Sequence, residues 1–386
     1  MNKTYRAVLG LLAALAAQPL SAQQRLAMPT PPAAEIVPIA LMLDLSSNQT
    51  LLARQENRRF VPASITKVMT AFTAFEMIDE GRIDIRQPIA VSDAAFEEWS
   101  GKGSSMFVAR GSKVPVDRLI MGITTVSAND GSVVLAEGAS GSTGNWIALM
   151  NRNAHSLGMR DSRFGTPNGW PDEGYTFTTA RDLATLAKAI LSRHPSKFRR
   201  YFGHRGMEHN GIAQENHDPI SGIVRGADGF KTGFTNQAGY GFLGTAERDG
   251  RRLVMVVAGA DSGRARNDAA RAFLEWGFEA FDSRLLFGRD MQIGEALVQD
   301  GTLERIGLAT QGPVRIAVPK TGGKVEVSIV YRGPLPAPIA RGEEIAKLRI
   351  AVEGLPLTHI PLVATQDVAA ASAVARIGNA FAAIFR

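Results

Sequence analysis

Apolar positions along this chain change their period several times, and those changes divide it. Ala7 to Ala17 is a continuous apolar run behind Lys3 and Arg6, and Leu20-Ser21-Ala22 follows as a cleavage site. This order predicts an export leader over residues 1–22, since the run is too short to span a bilayer as a mature helix. Residues 23–34 are Pro/Ala-rich and predict a flexible lead-in. Val37 to Asp44 and Thr50 to Arg54 read as strands around a Ser46-Ser47-Asn48-Gln49 turn. Beyond Pro62, the residues Ile65, Val68, Met69 and Phe72 recur at helical spacing, which puts Ser64 at a helix start. Residues 115–190 read as mostly helical, with Leu183, Leu186, Ala187 and Ile190 forming the apolar face of Thr179 to Leu191.

From Ala227 the pattern turns to strands: Gly229 to Thr232, Tyr240 to Ala246 and Arg252 to Ala258. Asp249-Gly250 is a hairpin signal between the last two. Asn267 to Phe281 returns to helix, with Ala269, Phe273, Trp276 and Ala280 as its buried stripe. Strands flanked by helices from both ends of the sequence predict an α+β layered domain over residues 35–283. Short alternating runs such as Val314 to Val318 and Val325 to Ile329 predict a small all-β domain over 284–364. In the last segment, 365–386, Val374, Ile377, Phe381, Ile384 and Phe385 share one helical face, with Arg376, Asn379 and Arg386 off it. Such a segment is too short and polar to span a membrane but suits its interface.

Composition removes whole classes of function. The 386 residues carry a formal net charge of +6, and loss of the leader removes Lys3 and Arg6 and no acid, leaving 6 − 2 = +4. There is no Lys/Arg block with interleaved aromatics, so nucleic-acid binding has no footprint. Absence of cysteine excludes disulfides, a thiolate nucleophile and Cys-based metal sites. His204, His209 and His217 lie close in sequence without a metal-binding spacing and read as loop histidines, so no metal or other cofactor is expected.

The candidate chemistry is a hydroxyl and an amine. Ser64-Ile65-Thr66-Lys67 is the one Ser-x-x-Lys in the chain, followed in order by Ser127-Ala128-Asn129 and Lys231-Thr232-Gly233. A serine needs an adjacent base to attack a carbonyl. Lys67, one helical turn on, can be that base if burial and a second cation, Lys231, hold its amine neutral. The backbone N–H of Ser64 and a strand N–H after the Lys231 motif can form an oxyanion hole. Ser127 can relay a proton, and Asn129 can hold substrate. Gly233 is expected to leave room for a ligand backbone. Two further copies are read as turns: Ser46-Ser47-Asn48, and Lys320-Thr321-Gly322-Gly323, which is expected to close a hairpin.

With these motifs in place, at intervals of 127 − 64 = 63 and 231 − 127 = 104, the chain resembles the low-molecular-mass penicillin-binding proteins of the serine D-alanyl-D-alanine carboxypeptidase family. Further matching segments are Phe60-Val61-Pro62-Ala63, Gly158-Met159, Asn168-Gly169, Thr179-Ala180-Arg181-Asp182, Ala238-Gly239-Tyr240 and Trp276-Gly277-Phe278. The resemblance implies a penicillin-binding/β-lactamase-like domain, an antiparallel sheet packed between helices with a helical subdomain, then a β-rich domain and a membrane-binding tail. It implies removal of the terminal D-Ala from peptidoglycan stem peptides through an acyl-enzyme on Ser64, inhibition by β-lactams, and a periplasmic protein held at the outer face of the inner membrane. Ser64, Lys67 and Ser127 would be catalytic, with Asn129, Lys231, Thr232, Gly233 and Phe234 binding substrate. Phe234 stands where some members have histidine. Arg266, 276 − 266 = 10 residues before Trp276, matches the family's carboxylate-binding arginine, with Arg264 and Arg271 as the ordinary solvated alternatives.

Other readings make distinct demands. A β-lactamase on this scaffold needs a glutamate to activate its deacylating water, and the stretch Arg163 to Trp170 lacks one, with Glu173 out of pattern. An esterase on the same scaffold, a zinc carboxypeptidase, and a retired wall-binding protein are the remaining alternatives. The retired protein would show degraded motifs, and none of the five motif residues is degraded.

Overall fold

The computed structural model describes residues 4–8, 29–31 and 36–372. They fall into two compact units, one made of Thr30–Leu45 and Leu51–Glu279, the other of Ser46–Thr50 and the chain from Ala280 on, together with the N-terminal strand. That strand, β1 (Thr4–Val8), lies within the expected leader and pairs antiparallel with a strand of the second unit, from Thr4↔Arg332 to Val8↔Ser328.

The first hairpin joins β2 (Ile39–Asp44) to β3 (Gln49–Arg54), with Asn48 at φ 56 in the turn. A single 3-10 turn, Ala63–Thr66, leads into α1 (Lys67–Asp79), so Ser64 precedes the α-helix proper. β4 (Pro88–Ala90) and β5 (Lys113–Pro115) pair around α2 (Asp93–Trp99). The helical stretch comprises α3 (Val116–Thr125), α4 (Asn129–Ser140), α5 (Thr143–Ser156), α6 (Ala180–Arg193) and α7 (Pro195–Tyr201). Thr179 caps α6 by accepting the Asp182 N–H at 3.1 Å. A small hairpin, β6 (Gly206–His209) with β7 (Ile212–Glu215), precedes the main strands.

Those strands run longer than the sequence pattern predicts: β8 (Ala227–Thr235), β9 (Gly239–Arg248) and β10 (Arg251–Ala260). Between β9 and β10, Asp249 and Gly250 sit at φ 51 and 75, the left-handed pair that a two-residue hairpin turn requires. The last helix, α8 (Gly263–Glu279), begins before the expected Asn267 because Ser262 caps it: its Oγ accepts the Ala265 N–H at 3.1 Å. The five-stranded sheet has the order β3-β2-β10-β9-β8, which leaves β8 as a free edge among the described residues. Leu253 to Ala258 of β10 are buried on both faces. Val254, Val256 and Ala258 join the core formed with α1 and α6, whereas Leu253 contacts Gly277 of α8. This is the antiparallel sheet between helices that the resemblance implies.

In the second unit, β11 (Phe281–Phe287) pairs with β14 (Val314–Pro319). The larger sheet runs β1-β15-β17-β18-β13-β12-β16 and adds β12 (Gln292–Gln299), β13 (Arg305–Ala309), β15 (Val325–Arg332), β16 (Leu335–Pro336), β17 (Glu344–Val352) and β18 (Thr358–Ala364). Ile306, Leu308, Ile316, Ile329, Leu348 and Leu362 fill its core. Lys320 to Gly323 does not close a hairpin. The strands it joins, β14 and β15, pair with β11 and β17 instead, so the Gly-Gly turn carries the chain from one sheet to the other. Val368 bridges to Ile339 and the Ala371 N–H donates to the Asp300 carbonyl, which anchors the chain to this unit as far as Ala371. The apolar positions from Val374 to Phe385 lie outside the described residues.

One buried carboxylate fixes the helical region around the Ser127 loop. Asp130, 1% exposed in the first turn of α4, accepts from Ser105 Oγ at 2.6 Å and from the N–H groups of Met106, Val108 and Gly131 at 3.0, 3.2 and 2.9 Å. Asp130→Ala strands these donors in the interior. It should cost about 3 kcal/mol, read as a fall in thermal midpoint and weaker hydrogen-exchange protection at Met106 and Val108. An unchanged midpoint would contradict this role.

Candidate active site

The turn that carries Ser64 is gripped by two glycines. Ala63 adopts φ 50 and directs the chain sharply into the 3-10 turn that carries Ser64. A Cβ on Gly233 of β8 would lie 2.4 Å from the Pro62 carbonyl oxygen, and one on Gly169 would lie 1.9 Å from the Ala63 carbonyl oxygen. Gly233 is therefore needed because the strand packs on the turn. On the side where a Cβ would project, the space beside Gly233 is occupied by Pro62 and Ile65. Gly169 also sits at φ 75, so both conformation and contact exclude a side chain there.

Lys67 is completely buried, and its Nζ has three partners: Ser64 Oγ at 2.8 Å, Asn129 Oδ1 at 2.8 Å and the Asn168 carbonyl oxygen at 2.6 Å. Burial first, and then the positive charge of Lys231, hold its amine well below the ordinary lysine range, with Asp130 opposing. A neutral amine has two N–H donors and one lone pair. The two carbonyl oxygens take the donors, and the lone pair is left for the Ser64 hydroxyl.

Sequence matching marked Asn168 only as a family landmark. In the structure its backbone carbonyl holds Lys67, and its side-chain Oδ1 accepts the Trp170 N–H at 3.0 Å. The loop that presents it is tied down by Asn151 of α5, whose amide exchanges hydrogen bonds with the Phe164 N–H and carbonyl. Thr70 Oγ1 of α1 adds a bond to the Pro167 carbonyl at 2.5 Å. A backbone acceptor leaves no trace in residue identity, which is why pattern reading misses it.

Ser127 lies between α3 and α4 at φ 62 and is 4% exposed. The Ala128 N–H returns to the Gly122 carbonyl at 3.1 Å, and the Asn129 N–H bonds the Ser104 carbonyl at 2.8 Å. Asn129 thus bridges three segments, since its Nδ2 also donates to the Lys102 carbonyl at 3.0 Å. Beside it, Lys102 lies over the rings of Trp99 and Trp170, which meet edge to face.

Lys231 is 3% exposed, and burial, then the charge of Arg266, push its amine down to about 7, against the pull of Asp218. Thr232 is 8% exposed beside it, and Phe234, 47% exposed, stacks on Tyr240 at 4.1 Å. The three candidate arginines separate clearly. The Arg264 side chain is 92% exposed, and Arg271 donates to the Pro219 carbonyl at 2.8 Å. Arg266 is 8% exposed, donates to Asn267 Oδ1 at 2.7 Å and to the Gly241 carbonyl at 3.3 Å, and is pushed down to about 10, chiefly by burial. His217, read as a loop histidine, is solvent-exposed yet close enough to the Lys231 and Arg266 charges that, after partial burial, they lower its imidazole further. Ser64, Lys67 and Asn129 are thus joined by direct bonds. Lys231 and Arg266 form a neighbouring pair of buried cations on the sheet side.

Comparison with known proteins agrees with this geometry. Residues 29–262 match the family profile described as D-alanyl-D-alanine carboxypeptidase, and residues 281–370 match the profile of the penicillin-binding protein 5 C-terminal domain. The Escherichia coli D-alanyl-D-alanine carboxypeptidase DacD is 31% identical over 347 residues, covering 88% of this chain and 89% of the relative. The crystal structure of Haemophilus influenzae penicillin-binding protein 5 superposes with a TM-score of 0.77 at 27% identity, covering 89% of this chain and 99% of that one. A Listeria monocytogenes penicillin-binding protein solved in its ampicillin-bound form gives a TM-score of 0.55 at 26% identity, covering 63% of this chain and 98% of that one. With the profile spanning more than half its length, the chain belongs to the D-alanyl-D-alanine carboxypeptidase family of serine peptidases.

Proposed function

We propose that this protein is a serine D-alanyl-D-alanine carboxypeptidase that removes the terminal D-Ala from peptidoglycan stem peptides. The observation that carries the reading is the fully buried Lys67 amine 2.8 Å from Ser64 Oγ, with its donors already committed to two carbonyl oxygens. Lys67 takes the Ser64 proton as Oγ attacks the scissile carbonyl. The backbone N–H groups of Ser64 and Phe234 receive the developing oxyanion. Ser127 passes a proton to the departing D-Ala amine, and water then cleaves the Ser64 ester to release the shortened peptide and regenerate the serine. Lys231, Thr232 and Arg266 hold the terminal carboxylate. Paired, charge-assisted hydrogen bonds from a guanidinium suit that group.

β-Lactams fit the same site as covalent inhibitors, in keeping with the ampicillin-bound relative. The β-lactamase reading loses support because Glu173 is solvent-exposed at a φ of 58 on its loop, while the position bonded to Lys67 is a backbone carbonyl. Export through the 1–22 leader and attachment of the tail to the outer face of the inner membrane complete the proposal. Among the described residues no helix is long and apolar enough to cross a membrane; the interfacial mode of the tail rests on the apolar face that Val374, Ile377, Phe381, Ile384 and Phe385 share in the sequence.

Penicillin should add one acyl group at Ser64, and Ser64→Ala should abolish both labelling and peptide turnover, as read by intact-mass spectrometry. Lys67→Ala should block acylation as well, whereas Lys320→Ala should leave it intact. Label on Ser64→Ala protein at another serine would overturn the assignment.

Arg266→Ala should lower kcat/KM for a D-Ala-D-Ala peptide by roughly 30-fold or more and spare a thioester lacking the terminal carboxylate. For wild type, KM for the peptide should rise as pH passes upward through about 7, because Lys231 loses its proton there while Arg266, at about 10, keeps its own. Equal losses on both substrates would assign Arg266 a structural role.

Deletion from Ala373 onward leaves the β unit's contacts through Ala371 in place. It should release the protein from membranes into the soluble fraction with activity on a soluble peptide unchanged. Continued membrane sedimentation would refute the anchoring.

A further inference from the structure

A cleft of about 740 Å³ opens where β8 ends and the turn at Asn236 leads into β9. Phe60, Val61 and the stacked rings of Phe234 and Tyr240 are among the residues that line it. The cleft begins where the catalytic site stops. Val61 is three residues before Ser64 (64 − 61 = 3), and Phe234 directly follows the glycine that packs against the nucleophile turn.

Direction follows from the free edge of β8. A peptide laid along that edge with its terminal carboxylate at Lys231 and its scissile carbonyl at Ser64 must continue past Phe234 toward Asn236. Extended peptides add to sheet edges in this way, with pockets reading their side chains. The residues on the acyl side of the scissile bond therefore enter the cleft.

Its mouth carries one free charge of each sign. Arg58 is exposed, and among the described residues its guanidinium donates only to the Gln55 side-chain amide oxygen, at 3.0 Å. Neighbouring Arg59 is by contrast paired with Asp161 at 2.7 Å. Asp261 also lines the cleft, is exposed, and has no partner among the described residues. A cleft of mixed polar and aromatic lining, with a cation and an anion that have no ion-pair partner, is complementary to a ligand that bears both an ammonium and a carboxylate.

We propose that this cleft is an acyl-side subsite for the stem peptide, resting on the carboxypeptidase reading of the neighbouring site. The side chain of the diamino acid that precedes D-Ala-D-Ala lies along the Phe234–Tyr240 stack and offers its ammonium to Asp261. The free carboxylate of the preceding γ-linked D-glutamate meets Arg58. Binding here is reversible recognition and alters no bond.

The test compares two soluble substrates that end in D-Ala-D-Ala. One is the stem pentapeptide with a free side-chain amine and the glutamate carboxylate. The other is a diacetylated lysyl tripeptide lacking both charges. Wild type should prefer the pentapeptide in kcat/KM. Arg58→Glu and Asp261→Lys should each reduce pentapeptide kcat/KM about fivefold, while the tripeptide stays within about twofold of wild type. Unchanged penicillin labelling of Ser64 in each variant confirms an intact catalytic site. Equal effects on the two substrates, or no effect on either, would overturn the subsite. Failure of wild type to cleave either substrate would instead refute the carboxypeptidase reading and remove the basis of the inference.

Discussion

Everything at this site depends on keeping one lysine amine out of water. Lys67 has no exposed surface, and each of its neighbours is positioned by a different part of the fold: Ser64 by the 3-10 turn, Asn129 by the start of α4, Asn168 by the loop that α5 secures. An isolated buried ammonium is costly, so the interior favours the uncharged form. The fold thus does to Lys67 what a histidine base would need no help to achieve, and it requires three separately anchored segments to do so.

A gradient of charge follows from the same packing. Arg266, Lys231 and Lys67 are all buried cationic side chains, and each lowers the proton affinity of the next in line. The guanidinium is pushed down to about 10, the second amine to about 7, and the innermost amine lies well below its ordinary range. One crowded row of like charges can therefore contain a charged end suited to a carboxylate and a neutral end suited to a proton. Asp218 and Asp130 temper the row at its two ends without neutralising it.

Sequence pattern revealed what side-chain identity encodes and missed what backbone supplies. The order of the strands, the Asp249-Gly250 turn and the apolar stripe of α6 were legible because period and turn chemistry are written in residue types. The Ser-x-x-Lys spacing likewise implied that Lys67 meets Ser64. The Asn168 carbonyl had no such signature, because any residue has that oxygen. The early start of α8 depended on a serine cap beyond the apolar stripe, and the path from β14 to β15 depended on pairings that a local Gly-Gly turn cannot announce. The packing of Gly233 on Pro62 was hidden for the same cause, since a close contact with a distant segment is long-range information.

The two glycines that close on the Ser64 turn also limit how the protein can change under selection. Neither Gly233 nor Gly169 can accept even a methyl group without displacing the backbone carbonyl against it. Variation that excludes a β-lactam by narrowing the turn would therefore also displace the serine that serves the natural substrate. The side chains free to vary are those farther out, such as the half-exposed Phe234. Discrimination between inhibitor and peptide is therefore more readily changed at the rim than at the centre, where each presents a carbonyl carbon to the same serine.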